Sequence, residues 1–172
     1  MELALIDSGV PHSHASGEYR VRRAECERAA ELLGVALLCD IPAADIARTR
    51  QLPPPLDRRA RHVISEEARV LTAVEAIKGG DIEQFGALLL ESHASLQHDY
   101  DVSVAAVDEL VSASMGAPGV LGARMTGGGF GGAVLILCRA GSTRDAAAQV
   151  LRDYRQSGHA AGSIILPVSA ST

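Results

Sequence analysis

The chain has 172 residues, 47% hydrophobic and 22% charged, a globular composition that excludes the disordered and collagen-like classes. Sixteen Lys and Arg against 21 Asp and Glu leave a net charge of −5, with three Tyr, two Phe and no Trp. That balance argues against nucleic acid or a membrane surface as partner, since the basic footprint and the stacking platforms are missing, and no apolar run approaches the ~18 residues of a membrane span.

Residues Glu2 to Asp7 predict a short strand, closed by the turn Asp7-Ser8-Gly9. A strand this close to position one suggests the tail of something longer. Gly17-Glu18-Tyr19 opens a helix running to Leu33, with Tyr19, Cys26, Ala30 and Leu33 at helical spacing and Gly34 as C-cap. Pro42 and Pro53-Pro54-Pro55 forbid a continuous helix from Ile41 to Pro55. From Leu56 to Lys78 the apolar positions Ala60, Val63, Ile64, Val70, Leu71, Val74 and Ile77 predict one long amphipathic helix, stopped by Gly79-Gly80. Asp81 caps the next, whose buried face is Ile82, Phe85, Leu88 and Leu89. Beyond Asp99-Tyr100-Asp101 a further helix carries Val104, Val107, Leu110 and Val111.

Strands are then expected over 119–125 and from Ala133 to Cys138, the longest apolar run. Ser142 begins a helix with Asp145 at the capping-box position and Ala147, Val150, Leu151 and Tyr154 on its face; Ile164-Ile165-Leu166-Pro167-Val168 is the last strand. The order β, helices, β, β, α, β makes the fold α+β. A split βαβ, ferredoxin-like sheet of four strands with an added helical layer is the natural arrangement. Cys26, Cys39 and Cys138 show no C-x-x-C spacing, and no secretory signal opens the chain, so reduced thiols and a cytoplasmic location are expected.

The densest signal is Arg124-Met125-Thr126-Gly127-Gly128-Gly129-Phe130-Gly131-Gly132. Each glycine costs roughly 0.5–1 kcal/mol relative to Ala in conformational entropy, so five in six positions need an offsetting use. A bare run of amides suits phosphate oxygens; a tight strand-to-strand turn without a ligand is the competing reading. The G-x-G-x-x-G match within it is accidental, because a strand follows where a dinucleotide fingerprint needs a helix.

The nine residues resemble the third motif of the galactokinase, homoserine kinase, mevalonate kinase and phosphomevalonate kinase (GHMP) superfamily. Two further segments resemble the galactokinase family within it: Pro11-His12-Ser13-His14-Ala15-Ser16-Gly17-Glu18-Tyr19 with Arg22, Arg23 and Cys26, and Glu91 to Ser103. Arg61-His62-Val63 matches too. The resemblance runs through nearly the whole chain in the family's order.

It implies residues 1–172 as one GHMP kinase C-terminal domain, with 1–20 the junction from an N-terminal ATP-binding domain. The implied reaction is ATP-dependent phosphorylation of D-galactose to galactose 1-phosphate, with Mg²⁺ as metal. Tyr19 is the implied sugar contact, against the alternative of a helix-start residue packing on its own domain. Gly127, Gly128, Gly129, Phe130, Gly131 and Gly132 are implied to support the nucleotide-phosphate loop. At Gly129 a backbone needing φ > 0 or close approach to a neighbouring loop is inferred. If the turn serves the nucleotide site, Gly129→Val is expected to lower the melting temperature only modestly and to cost the restored two-half enzyme most of its ATP-dependent activity. In a merely strained hairpin, stability drops first.

Arg124 reads as a phosphate ligand or a structural ion pair. Glu91 with His93 and Asp99 with Asp101 read as structural, and His12 and His14 as exposed. The family's P-x-x-x-G-L-S-S-S-like loop and catalytic aspartate do not occur in these 172 residues, so no catalytic residue and no metal site is assigned here. The reading is the C-terminal portion of a galactokinase, inactive alone, with its N-terminal half in cis or in trans. The alternative is a non-catalytic module that binds sugar or a partner chain.

Overall fold

The computed structural model describes residues 1–11 and 15–165. Four strands, β1 (Glu2–Asp7), β2 (Val120–Thr126), β3 (Ala133–Cys138) and β4 (Ser163–Ile165), form one antiparallel sheet in the order β2-β3-β1-β4. β1 sits between β3 and β4, with Leu5 opposite Leu135 on one side and Ile165 on the other. This is the expected split βαβ sheet. Leu166, Pro167 and Val168 of the last expected strand lie outside the described residues.

The helices are α1 (Ala15–Leu33), α2 (Leu56–Gly79), α3 (Ile82–Ser95), α4 (Ala105–Met115) and α5 (Thr143–Gln156). Alternate strand residues point to one face. On that face Ala4, Ile6, Ala123, Met125, Val134 and Ile136 join Val107 and Leu110 of α4 and Val150 and Tyr154 of α5 in the main core. Tyr154 donates its hydroxyl to the Ser8 carbonyl at 3.0 Å, which satisfies the one polar atom of a wholly buried ring.

A second core lies away from the sheet. There Ala29, Ala30 and Leu33 of α1 meet Ala60 and Ile64 of α2, with Leu38, Ile41 and Leu52 closing it. The proline-limited stretch between these helices winds into 3₁₀ turns, Leu38–Asp40 and Ala43–Gln51. The layers are joined where α3 crosses β2 with backbone against backbone. A Cβ at Gly86 would stand 2.3 Å from the Leu121 carbonyl oxygen, and one at Gly122 would stand 2.2 Å from that of Gly86.

Three local expectations change. The second half of the α2 stripe, Val70, Leu71, Val74 and Ile77, is exposed, because among the described residues no element covers it. Tyr19 is also exposed, although it shares helical spacing with buried Ala30 and Leu33. No capping box forms at α5: the Ser142 hydroxyl donates to the Arg139 carbonyl instead, and Thr143 donates its hydroxyl to Glu2. Asp81 does cap α3, accepting from the Gln84 amide at 2.9 Å.

Candidate functional site at the α3–α4 junction

α3 ends in a one-turn π-helix, Leu96–Tyr100, and the chain reverses at Asp101 with φ of 60°. Three consecutive residues here hold everything else. Tyr100 stacks on His62 of α2 with ring centroids 4.5 Å apart, and its hydroxyl lies 3.9 Å from the Cys26 sulfur of α1. Asp101 takes Arg59 of α2 at 3.0 Å and Arg22 of α1 at 3.6 Å. The Val102 carbonyl accepts the Phe130 amide at 2.7 Å. The helix carrying Tyr19 and the glycine-rich turn are thus both fastened to residues 100–102.

Arg59 is the centre of that fastening. Its guanidinium is nearly closed to solvent and spreads three ways: Nε to Glu25 at 2.9 Å, Nη1 to the Asp99 carbonyl at 2.6 Å and Nη2 to Asp101. Burial pushes the Glu25 carboxyl up, but hydrogen bonds from Arg59 and Arg22 outweigh it and hold the group below the ordinary range. Nothing in the motif reading singled Arg59 out. A signal was present, because Arg59 stands one turn before Val63 on the inward side of α2, where a charge demands a partner.

The glycine-rich turn divides into two parts. Gly127 and Gly128 are exposed, and a Cβ at either would meet nothing within 4 Å. Gly129 is buried at φ +88°, with a hypothetical Cβ 2.5 Å from the Val102 carbonyl oxygen. Gly131 presses likewise on Val10, at 2.7 Å from its carbonyl oxygen, and the Gly132 amide donates to that same carbonyl. The turn is therefore clamped between the loop after β1 and residue 102. The positive φ and close approach expected at Gly129 are present; the modest stability loss expected for Gly129→Val is corrected, because the clamp leaves no room for a side chain.

The remaining candidates take structural places. Arg124 pairs with Glu66 at 3.3 Å, the ion-pair reading. Glu66 also accepts from the Ser92 hydroxyl and pairs with Arg69 at 2.8 Å; burial raises its carboxyl, and these donors bring it below the ordinary range. Asp99 pairs with Arg61 at 3.2 Å. Glu91 is exposed while His93 is buried, so the two diverge as their spacing implies. His93 accepts the Met125 amide at 3.4 Å and places its other ring nitrogen 3.3 Å from Asp108. His12 and His14 lie outside the described residues. Among the described residues no group of three or more His, Cys, Asp or Glu is placed to hold a metal. No helix among them is long and apolar enough to cross a membrane.

His62 gives the site a pH dependence. Burial first, then the nearby Arg69 and Arg124 charges, bring its pKa to about 4 against the pull of Glu66 and Asp99. A histidine neutral in the fold and protonated at an ordinary 6.5 in the unfolded chain binds more protons when unfolded. Stability should therefore fall by about 2–3 kcal/mol as pH drops from 6.5 to 4.5. Burial lowers His93 in the same direction, so its share adds to this. His62→Phe should keep the ring stack on Tyr100; it removes the 3.0 Å contact of His62 Nδ1 with the Ser95 hydroxyl, which in this chain also donates to Asp99 at 3.2 Å. Denaturant melts at the two pH values should show the loss reduced by at least about 1.5 kcal/mol in that variant. An undiminished loss would remove His62 as its cause.

Comparison with known proteins gives the lineage of this arrangement. Residues 73–160 match the family described as "GHMP kinases C terminal". Galactokinase from Chloroflexus aggregans is 42% identical over 160 residues, which cover 90% of this chain and 41% of that protein. The human galactokinase is 41% identical over 155 residues, covering 90% of this chain and 40% of that one. The structure of Lactococcus lactis galactokinase complexed with galactose superposes with a TM-score of 0.85 at 27% identity, over 96% of this chain and 44% of its own. The chain thus spans about two fifths of the length of the relatives it matches. The chain belongs to the GHMP kinase C-terminal family, and its similarity is to the C-terminal half of galactokinases.

Proposed function

We propose that this chain is the C-terminal portion of a galactokinase, acting in ATP-dependent phosphorylation of D-galactose together with an N-terminal half supplied in cis or in trans. The observation that carries the reading is the shared fastening of Tyr19's helix and the glycine-rich turn to residues 100–102. In it Tyr19 offers its hydroxyl to a sugar hydroxyl and its ring to the sugar's apolar face. The exposed amides at Gly127 and Gly128 support the loop that cradles the ATP phosphates. Phosphoryl transfer is governed by positioning and electrostatics, so a domain that fixes these two elements contributes without providing the base. The base, the nucleotide loop and the Mg²⁺ ligands belong to the other half, and the reading places the enzyme in the cytoplasm.

The test is a chimera in which residues 1–172 replace the matched segment of the Chloroflexus aggregans galactokinase. There Tyr19→Phe should raise the galactose KM about three- to tenfold, the worth of one lost hydrogen bond of roughly 0.5–1.5 kcal/mol. The melting temperature should stay put, because the side chain is exposed in this domain. An unchanged KM for both Phe and Ala would return Tyr19 to a surface role. Galactose binding without turnover would favour the non-catalytic sugar-binding module.

A further inference from the structure

Two of the three thiols face one cavity that the functional reading leaves unused. The chain turns back at Gly34, with φ of 68°, and returns along α1 to the 3₁₀ turn Leu38–Asp40. Cys26 and Ala30, one turn apart on α1, wall a cavity of about 280 Å³; Leu37, Leu38 and Cys39 wall it from the returning chain, and Val63 of α2 lines it as well. The reversal thus delivers Cys39 to the space that Cys26 borders. Cys39 is exposed and Cys26 half-buried, while Cys138 is buried in the other core. The 3₁₀ turn closes on itself, with the Leu37 amide donating to the Asp40 carboxylate at 3.0 Å and the Asp40 amide to the Leu37 carbonyl at 3.1 Å. It can therefore approach α1 as a unit, pivoting on Leu38 in the second core.

The same sulfur that faces the cavity touches the candidate site. Cys26 Sγ lies 3.9 Å from the Tyr100 hydroxyl, and Tyr19 stands two turns earlier on the same helix. Resting on the functional reading above for its consequence, we propose that Cys26 and Cys39 form a reversible dithiol–disulfide site, oxidised by a low-molecular-weight disulfide, whose closure releases Tyr19's helix from Tyr100. The exposed Cys39 thiolate attacks one sulfur of that disulfide: a new S–S bond forms, the old one breaks and one thiolate leaves. Cys26 gives its proton to water and attacks the Cys39 sulfur, expelling the second thiolate. Two protein thiols are oxidised and the small disulfide is reduced to two thiols. Burial pushes the Cys26 thiol up, which suits it to the second step. A disulfide holds its two Cβ atoms about 4 Å apart, so the bond shuts the cavity and turns Cys26 Sγ away from Tyr100. Intracellular disulfides of this transient kind are the redox-sensing ones.

Oxidised glutathione is the probe, applied first to the 172-residue chain. Two of its three thiols should disappear, its mass should fall by two hydrogens, and dithiothreitol should reverse both. Cys26→Ser should stop at a glutathione adduct on Cys39, and Cys39→Ser should keep its thiols. A parent chain that ends as a lasting glutathione adduct, or as a disulfide between two copies, would overturn the site. Closure should also speed amide hydrogen exchange in the first half of α1; equal exchange in the two redox states would overturn the release of the helix. In the chimera the galactose KM should rise about threefold or more on oxidation, and not in its Cys39→Ser variant. An active chimera that forms the bond with its KM unchanged would overturn the link to the sugar contact and keep the galactokinase reading. A chimera that forms the bond but is inactive in both states would overturn that reading and keep the dithiol site.

Discussion

Replacing Arg59 with alanine should cost about 3 kcal/mol and lower the melting temperature by roughly 6–12 °C. The guanidinium is buried and makes three directed contacts, to Glu25, the Asp99 carbonyl and Asp101, so its removal leaves a cavity and an unpaired carbonyl. Glu25 keeps Arg22 at 2.5 Å, which limits the loss on that side. Arg59→Lys separates charge from shape. An ammonium is a point donor and cannot span three acceptors, so Lys should recover less than half of the loss. A lysine variant as stable as the parent would mean that charge alone matters at this position. In the chimera, either variant should raise the galactose KM, because Tyr19's helix loses the Glu25–Arg59 pair that ties it to α2 and keeps only the longer Arg22 contact to Asp101.

Two substitutions in the glycine-rich turn should behave oppositely. Gly129→Val forces a β-branched residue into φ +88° with its Cβ against the Val102 carbonyl, and the combined strain and overlap should cost about 3–5 kcal/mol. Gly128→Ala meets nothing within 4 Å and needs no left-handed backbone, so stability should stay within about 0.5 kcal/mol. Its effect should appear in the chimera as at least a tenfold loss of ATP-dependent kcat/KM. Thermal melts and kinetics on the same preparations check both. A Gly128→Ala chimera with full activity would leave the turn a purely structural clamp.

The contrast between those glycines shows what the sequence could and could not tell. Its glycine density announced a backbone with a special demand, yet the demand at Gly129 and Gly131 comes from carbonyls of Val102 and Val10, residues distant in sequence. Such close approaches leave no local pattern. The strands and helices were legible because the continuous apolar run of β3 and the 3.6-residue repeat in α5 are local signals, and their order along the chain pointed to the four-stranded sheet. The same repeat misled in α2, where periodicity says which side is apolar and not which partner covers it. Arg59 escaped notice for a similar reason. Its three acceptors sit 34 to 42 residues away, on α1 and the α3–α4 junction.

The most direct measurement is galactose 1-phosphate formation from ATP, Mg²⁺ and D-galactose, by the purified 172-residue chain and by the chimera side by side. The lone chain should show nothing above background while folding cooperatively. The chimera should turn over, with a galactose KM that responds to Tyr19→Phe. Turnover by the lone chain, scrubbed of host galactokinase, would contradict the division of labour between the halves. A folded chimera that binds neither galactose nor ATP would contradict the assignment itself.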